Sequence, residues 1–305
     1  MTRLIVRRLC EAVPVLFVIV TLVFFMVRLA PGGPFDTERK VSPEVLANLQ
    51  AYYGLDQPLH VQYVRYLGQL LRGDLGPSFK NAGYSVNELI GLGIPVSLEL
   101  GLYALIIALI IGITSGVIAA LNQNTAHDYA PMVLSMAGIC IPNFVIGPVL
   151  ALIFSLWLGW LPVAGWEGPA SKVLPSVTLG VAYAAYVSRL TRGGMLEVLS
   201  QDFIRTARAK GMSEARMVLR HALKGGLQPV ISFLGPAAAG LLSGAFVVET
   251  IFQIPGLGRL FIQSAFNRDY TMIMGTVLFY AALILLFNLV VDVVQSRIDP
   301  RLRER

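Results

Sequence analysis

The 305-residue sequence is poor in charge. Only 14% of its residues are Asp, Glu, Lys or Arg, whereas 55% are hydrophobic. Soluble domains carry about 25% charged residues, so this chain has too few to cover a water-exposed surface of its length. Its mean hydropathy is +0.68, and its apolar residues fall in long blocks. These properties exclude an ordinary soluble globule and indicate that lipid is the solvent.

Several chemical motifs are missing as well. The dipeptide Gly-Lys never occurs, so the chain has no phosphate-binding G-x-x-x-x-G-K-[ST] loop and cannot hydrolyse ATP by that route. It has neither an H-E-x-x-H metal motif nor a G-x-S-x-G nucleophile elbow. The three histidines are scattered, and neither Cys10 nor Cys140 has a nearby partner. The sequence therefore favours neither an intramembrane hydrolase nor a metal or disulfide framework.

Six apolar stretches are long enough, with some tolerance at their ends, to cross a bilayer as helices of about 20 residues. They are Cys10–Leu29, Leu100–Leu121, Met132–Trp157, Leu174–Ser188, Pro229–Phe252 and Met272–Val291. The fourth is the weakest, and we expect its helix to extend a turn further with Arg189 reaching toward the interface. The first has the positive flank of a signal peptide, but its apolar run is long and Pro31 follows it closely. We interpret it as an uncleaved membrane helix.

The distribution of Lys and Arg predicts that both termini are cytoplasmic, because positive charge concentrates on the inner side of membrane proteins. With the N-terminus inside, the inner positive residues are Arg3, Arg7, Arg8, Arg192, Arg205, Arg208, Lys210, Arg216, Arg220, Lys224, Arg297, Arg301, Arg303 and Arg305. The short outer loops hold only Lys172, Arg259 and Arg268.

The outer connection, about Pro31–Pro95, is too long for a simple turn. Ser42–Tyr53 predicts a helix that opens at Ser42 with Pro43 in its first position. Pro58–Arg72 predicts a second helix, with one apolar face formed by Val61, Val64, Leu67, Leu70 and Leu71. This segment is either a packing hairpin or a platform for something outside.

The inner connection, about Thr191–Leu227, is basic and predicts two short helices around a glycine. The first covers Asp202–Lys210, and Gly211 ends it. The second begins after Ser213, with an apolar face formed by Ala215, Val218, Leu219 and Ala222. We interpret the pair as a rigid knob that passes force between proteins. The alternative is a basic loop that contacts anionic lipid.

Small residues and prolines inside the apolar stretches predict close packing and bends. Gly112–Gly116 and Gly240–Gly244 have the G-x-x-x-G spacing that lets helices approach closely. The candidates for bends around a path are Pro142, Gly147, Pro148, Gly235 and Pro236. The middles of the stretches hold no acid, base or histidine, which disfavours a self-sufficient ion-coupled transporter. The residues thus indicate a passive conduit driven by partners, with a stand-alone channel as the alternative.

The knob reads D-F-I-R-T-A-R-A-K-G over Asp202–Gly211 and R-H-A-L-K over Arg220–Lys224. It resembles the ATPase-coupling segment of permease subunits in type I ABC importers, in their peptide-uptake branch. Their general pattern is E-A-A, three residues, Gly, nine residues and I-x-L-P, and only Ala207, Gly211 and Leu223 match it strictly. Further runs extend the resemblance over nearly the whole chain: Arg28–Pro34, Gly73–Ser78, Glu249–Gly258, Asn267–Tyr270 and Asp299–Pro300.

The resemblance implies an all-α integral membrane protein with six transmembrane helices. Its fold would be that of type I ABC importer permeases, with a helical periplasmic insertion between the first two spans. We expect the N-terminal end and first span at residues 1–30, and the periplasmic segment at 31–96. A five-helix permease core would follow at 97–294, with the coupling region at 191–228 inside it, and a cytoplasmic tail would end the chain at 295–305.

The resemblance also implies the uptake of oligopeptides across the bacterial cytoplasmic membrane. Permeases for dipeptides, glutathione or nickel are the alternatives within the same family. A binding protein outside would deliver the peptide, and a second, homologous permease would complete the membrane path. The chain would be a non-catalytic subunit without a cofactor of its own, because two cytoplasmic ATPase subunits would bind ATP and Mg²⁺.

Two sets of residues form the predicted sites. The coupling set, implied by the resemblance, is Asp202, Phe203, Arg205, Thr206, Ala207, Arg208, Ala209, Lys210 and Gly211. The second set is an outer gate or binding-protein contact at a Pro-Gly-x-Gly turn with flanking charge, in the Pro255–Arg268 loop. It contains Glu249, Pro255, Gly256, Gly258, Arg259, Arg268 and Asp269. A mere tight turn is the alternative there.

Overall fold

The structure, a computed structural model, describes residues 2–35 and 43–298. Within them the chain is helical, which is how a backbone pairs its polar groups in lipid. The α-helices are α1 (Thr2–Leu29), α2 (Pro43–Tyr52), α3 (Leu59–Leu70), α4 (Val86–Leu121), α5 (Ala126–Cys140), α6 (Asn143–Ala151), α7 (Pro169–Leu199), α8 (Asp202–Ala209), α9 (Glu214–Met217), α10 (Leu223–Gly226), α11 (Gln228–Ile251), α12 (Leu257–Asn267) and α13 (Tyr270–Ile298). Two π-helical segments, Leu152–Trp157 and Val218–Ala222, follow α6 and α9.

The chain divides into two compact units. The first, here called the core unit, contains Ser97–Pro255 and the described residues from Leu286 to Ile298. The second, here called the α1 unit, contains Thr2–Val96 and Gly256–Leu285. The coupling set lies in the core unit. The outer segment that carries α2 and α3 lies in the α1 unit.

Within the described residues, four helices are long and apolar enough to cross a membrane: α1 over Ile5–Leu29, α4, α7 and α13 over Tyr270–Val294. They contain the first, second, fourth and sixth predicted stretches. The fifth stretch lies in α11, a helix of 24 residues. The third stretch is divided between two helices, α5 and α6 with its π-helical continuation. Together these two helices are apolar enough to cross a membrane, but their axes are bent by 108° at the break between them.

The third stretch is therefore not the single helix that Met132–Trp157 predicted. α5 ends at Cys140, Ile141 is extended, and α6 begins directly after Pro142. Proline lacks an N–H and forces the preceding residue out of the helical region, so the break falls where the ring stands. The bend predicted at Pro142 is present. Pro148 and Pro236, by contrast, lie inside α6 and α11 without ending them.

The fourth stretch looks weak in the sequence because protein, not lipid, surrounds much of its helix. α7 runs for 31 residues, well beyond the predicted end at Ser188, and the side chain of Arg189 is exposed. Its buried residues include many small and polar ones, such as Ser176, Thr178 and Thr191. A helix enclosed by other helices does not need a fully apolar surface.

Glycines bring the backbones of α4 and α7 together. A Cβ atom at Gly112 would lie 2.6 Å from Cβ of Val187 and 2.7 Å from the carbonyl oxygen of Ala184. A Cβ atom at Gly116 would lie 2.5 Å from the carbonyl oxygen of Ser188. The Gly112–Gly116 pair thus has the close-packing role that its spacing predicts.

The outer segment has the two predicted helices, α2 and α3, although Ser42 lies outside the described residues. The apolar face predicted for α3 is partly wrong. Leu67 and Leu70 pack in a cluster with Phe24 of α1, but Val64 is 67% exposed. Val61 and Leu71 are exposed too. Two tyrosines, Tyr63 and Tyr66, take their place because rings with a polar tip bury their bodies well.

We expect Gly112→Ala to lower the melting temperature of the purified protein, because overpacking of this kind costs about 1–3 kcal/mol. The matched control is Gly91→Ala in the same helix, where a Cβ atom would have no neighbour within 4 Å. Both changes favour the helix equally, so the difference in melting temperature measures the contact with α7. Equal melting of the two variants would contradict that contact.

Candidate functional site

The coupling segment has the predicted helix–glycine–helix form. α8 begins at Asp202 and ends at Ala209, with Lys210 as its C-cap. Gly211 has a φ of 75°, which glycine adopts without strain. The N–H of Met212 donates to the carbonyl oxygen of Ala207 over 3.2 Å, and the N–H of Gly211 to that of Arg208 over 2.9 Å. These two bonds are the Schellman motif that ends a helix at a left-handed glycine.

The buried face of α8 attaches the coupling segment to α7 and to the helical turns that follow Gly211. Ile204 and Ala207 are buried in a cluster with Met195 of α7 and with Met217 and Val218. A short helix gains stability mainly from such packing rather than from its own propensity. The segment is therefore held by its apolar face.

The apolar face predicted for the second helix is only half right. Val218 and Ala222 are buried, but Leu219 is 71% exposed and Ala215 is exposed as well. Met217 is buried in their place. The reason is the π-helical segment Val218–Ala222, which breaks the 3.6-residue period on which the prediction relied.

The outer face of α8 carries an exposed aromatic ring among charges. Phe203 is 51% exposed. Arg208 pairs with Glu214, with 3.0 Å between Nε and Oε1, and Arg205 lies 3.6 Å from Asp202. Both ion pairs are exposed and contribute little to stability. Aromatic side chains and arginines are enriched on surfaces that bind other proteins.

The base of the segment is a contact between the backbones of α7 and α10. A Cβ atom at Gly194 would overlap the carbonyl oxygen of Gly226, and one at Gly226 would lie 2.6 Å from Sδ of Met195. Neither glycine belongs to a predicted site or to a G-x-x-x-G pair. The Gly193-Gly194 and Gly225-Gly226 pairs were the available signal. Because the contact leaves no space, we infer that a displacement of the segment reaches α7.

Two charged contacts hold α7 near its two ends. Lys172 Nζ and Trp166 Nε1 donate to the carboxylate of Glu99 over 2.5 and 3.1 Å. Near the other end, Arg192 donates to both carboxylate oxygens of the buried Asp128, over 2.5 and 2.7 Å. Such bidentate pairs are the strongest kind of ion pair. Sequence spacing gave no signal for either pairing.

The predicted Pro255–Arg268 loop is wrong in conformation, because most of it is the helix α12. Gly256 is the extended residue before it, and Arg268 ends it with a φ of 58°. The helix forms because Leu257 and Leu260 pack in an apolar cluster of the α1 unit. A Cβ atom at Gly93 would lie 2.9 Å from the backbone nitrogen of Leu257, so α4 lies directly against the start of α12.

The members of the predicted gate set differ in accessibility. Pro255 is exposed, and Arg259 and Arg268 are partly exposed. The remaining members are buried: Glu249, Gly256, Gly258 and Asp269. In the core unit, the hydroxyl of Ser97 donates to Glu249 over 2.6 Å. The gate role stays a prediction, and the exposed members are those able to touch a partner.

Asp269 organises the turn between α12 and α13. Its carboxylate accepts hydrogen bonds from the hydroxyl groups of Ser78 and Thr271, over 2.5 and 3.1 Å. It also accepts from the backbone N–H groups of Phe79, Lys80 and Met272. The N-terminus of a helix favours a negative charge. This residue therefore fastens the end of the outer segment to the start of α13.

Among the described residues, no group of three or more His, Cys, Asp and Glu side chains is placed to hold a metal ion.

The sequence matches a known transport family over most of its length. The family described as "Binding-protein-dependent transport system inner membrane component" matches residues 112–304. Its N-terminal part, described as "Binding-prot-dependent transport system membrane comp, N-term", matches residues 1–91.

Curated relatives and solved structures agree with that match. The oligopeptide transport system permease protein OppB of Escherichia coli is 51% identical over 305 residues, and that of Haemophilus influenzae 48%. Each alignment covers 99% of this chain and 100% of the relative. The dipeptide transport system permease protein DppB of Bacillus subtilis is 44% identical, over 99% of this chain and 98% of its own. An inward-facing structure of the MetNI methionine ABC transporter superposes with a TM-score of 0.59 at 17% identity, covering 69% of this chain and 96% of that one.

We expect Gly194→Ala to loosen the coupling segment, because its methyl group forces α10 away from α7. Limited trypsin digestion should then cleave faster at Arg205, Arg208 and Lys210. The matched control is Gly193→Ala, one residue away, where a Cβ atom would have no neighbour within 4 Å. Cleavage of both variants at the wild-type rate would show that the glycine contact does not fix the segment.

Proposed function

This chain belongs to the family of binding-protein-dependent transport system inner membrane components, and on that premise we propose that it conducts oligopeptides through the membrane. It is a non-catalytic permease subunit of an ABC importer, in which ATP hydrolysis belongs to separate subunits. Two oligopeptide permeases align over the whole chain at 48% and 51% identity, against 44% for a dipeptide permease. These identities support longer peptides as the substrate, with dipeptides as the related alternative.

The proposed topology has six spans and both termini in the cytoplasm. It counts the bent pair of α5 and α6 as one broken span, and α11 as the fifth. The Lys and Arg distribution supports this orientation, because it places α8, α9 and both termini on the positive side. The segment 31–96, with α2 and α3, is then periplasmic.

The knob formed by Asp202–Gly211 is the proposed docking point for a cytoplasmic ATPase. The observation that carries this proposal is the construction of α8. Its buried face is fastened by Ile204 and Ala207, while Phe203 faces outward. ATP-driven closure of the ATPases would move the knob, and the contact of Gly194 with Gly226 would pass the movement to α7. The alternative is that Arg205, Arg208 and Lys210 anchor the knob to lipid. That alternative gives no role to the exposed ring of Phe203.

The proposed assembly contains a second, homologous permease, two ATPases and a periplasmic binding protein. Pro255, Arg259 and Arg268 are the members of the gate set that are accessible to the binding protein. Glu249 and Asp269 are buried, so they would contribute to the gate only indirectly, by stabilising the helices that carry its exposed residues. A stand-alone channel has no support from the relatives, which are named as transport-system permeases.

We expect Phe203→Asp to weaken docking of the ATPases and to uncouple ATP hydrolysis from uptake, because it replaces the exposed apolar ring with a charge that binding would have to remove from water. The measurements are the recovery of ATPase with the purified permease and the ratio of ATP hydrolysed to peptide imported. Phe203→Leu is the control that keeps an apolar contact. The alternative of a lipid anchor predicts a different result. In that case the double variant Arg205→Glu with Arg208→Glu would lower peptide import, while Phe203→Asp would leave ATPase recovery and import unchanged. That result would refute docking through this face.

The substrate class is tested by uptake of labelled peptides of two to eight residues into proteoliposomes that hold the complete importer. We expect accumulation of peptides longer than two residues. A Gly211→Pro permease is the matched control, because proline removes the Schellman N–H and cannot adopt a positive φ. Uptake restricted to dipeptides would assign the chain to the dipeptide branch.

A further inference from the structure

A cavity of about 170 Å³, partly open to the surface, lies in the α1 unit at the C-terminal end of α1. It is lined by side chains of α1, α3 and α13 and of the segments that join the outer helices. Its lining includes Arg28, Tyr53, Gln62, Arg65, Tyr66 and Met274. No predicted site includes this cavity.

The guanidinium group of Arg28 is held in a set orientation at the cavity. Its Nε–H donates to Oε1 of Gln62 over 3.0 Å, and Nη1 donates to Sδ of Met274 over 3.4 Å. The amide group of Gln62 in turn donates to the carbonyl oxygens of Leu55 and Gln57, which fixes its oxygen toward Arg28. Cζ of Arg28 also lies over the Phe24 ring, 3.7 Å from its centre. Arg28 is therefore fastened by the fold and does not extend freely toward water.

Donor groups at the cavity outnumber their protein partners. A guanidinium group has five N–H donors, and those contacts use two of them. The hydroxyl of Tyr66, a residue only 5% exposed, is buried and makes no hydrogen bond within the described part of the chain. Burial raises the pKa of Tyr66 to about 12, so this hydroxyl keeps its proton and remains a donor. Buried donors of this kind are costly unless a ligand or water accepts from them.

The cavity is also positively charged. Its lining contains the two guanidinium groups of Arg28 and Arg65, and no carboxylate among the described residues lines it. Asp269 contacts the lining residues Phe79 and Thr271 but does not itself line the cavity, and its carboxylate accepts five hydrogen bonds from the turn around it. Two positive groups with unused donors favour an anion with several acceptor oxygens.

The position of Arg28 indicates where that anion comes from. The residue lies in the last turn of α1, whose apolar run Ile5–Leu29 is long enough to cross a membrane. The end of such a run lies at the depth of lipid headgroups. We propose that this cavity binds the phosphate of a phospholipid headgroup, with the Arg28 guanidinium and the Tyr66 hydroxyl as donors. The inference rests on α1 crossing the membrane and is independent of the transported substrate.

The polar groups that the proposal uses are confined to the cavity, so the phosphate would lie there. The acyl chains would then lie along the exposed apolar side of α1, for example at Leu22 and Met26. Lipid occupancy would fasten α1 to α3, because the phosphate would bridge the Arg28 guanidinium of one helix and the Tyr66 hydroxyl of the other.

The test is lipid binding to the purified full-length chain, measured by native mass spectrometry after titration with phosphatidylglycerol. Diacylglycerol with the same acyl chains is the phosphate-free comparison. We expect a retained phosphatidylglycerol and no retained diacylglycerol. Arg28→Gln should weaken phosphatidylglycerol binding about tenfold or more, because a charged hydrogen bond contributes about 1.5–3 kcal/mol. Arg72→Gln, an exposed arginine of the same outer segment that does not line the cavity, should bind like the wild type.

Tyr66→Phe keeps the ring and removes only the unpaired hydroxyl, so it tests the site even if Arg28→Gln does not fold. We expect it to weaken binding several-fold while raising or preserving the melting temperature in lipid-free detergent. Wild-type affinity in a folded Tyr66→Phe or Arg28→Gln variant would overturn the proposal.

Two further arms distinguish the source of the anion. Inorganic phosphate and glycerol 3-phosphate are added at millimolar concentration. If they bind to the wild type while phosphatidylglycerol does not, the site takes free phosphate and the lipid proposal falls.

In the second arm, a tripeptide with a free carboxyl terminus is compared with its amide. Displacement of the lipid by the acid alone would assign the cavity to peptide and would equally overturn the proposal.

Discussion

The close packing of α7 against its neighbours is the constraint on which the core unit depends. Helices in lipid gain little from the hydrophobic effect when they associate, so they rely on contacts at short range. Glycines at Gly112 and Gly116 of α4 and at Gly194 of α7 let the backbones meet, and α10 joins at Gly226. A side chain at any of these positions would open a gap or force a shift. Among the four described helices that are long and apolar enough to cross a membrane, α7 has the lowest hydropathy and the largest buried share, which agrees with this close packing.

Charged groups are placed where the fold can satisfy them. Glu99 and Asp128 meet Lys172 and Arg192 near the two ends of α7, and Asp269 meets backbone and hydroxyl donors at the start of α13. An unpaired charge near a bilayer is costly, and each of these pairings removes that cost while fixing the angle of a helix. These three acidic side chains therefore hold helix ends in place.

A permease that receives force from an ATPase needs an element that moves as a unit. The knob has this construction: a buried apolar face, a Schellman end at Gly211, and a base without space between α7 and α10. The outer segment is fastened in a different way, through aromatic packing of α3 on α1 and through Asp269. The proposed headgroup phosphate would add a lipid contact to the packing of α3 on α1, at the C-terminal end of α1.

Local features could be predicted from the sequence alone. The apolar runs, the helix of the knob with its stop at Gly211, the two outer helices and the break at Pro142 all follow from composition, capping residues or the missing N–H of proline, which act within a few residues. The resemblance to importer permeases rested on equally local runs of residues, and the comparisons agree with it.

Only the tertiary structure decided which faces turn inward and which charges meet. The faces of α3 and of the helix after Ser213 were partly mispredicted because buried tyrosines and a π-helical segment override a simple apolar period. α12 is a helix because Leu257 and Leu260 pack on α4 and α13, and Arg192 finds Asp128 across 64 positions of the chain. Such pairings depend on distances in space that sequence spacing does not contain.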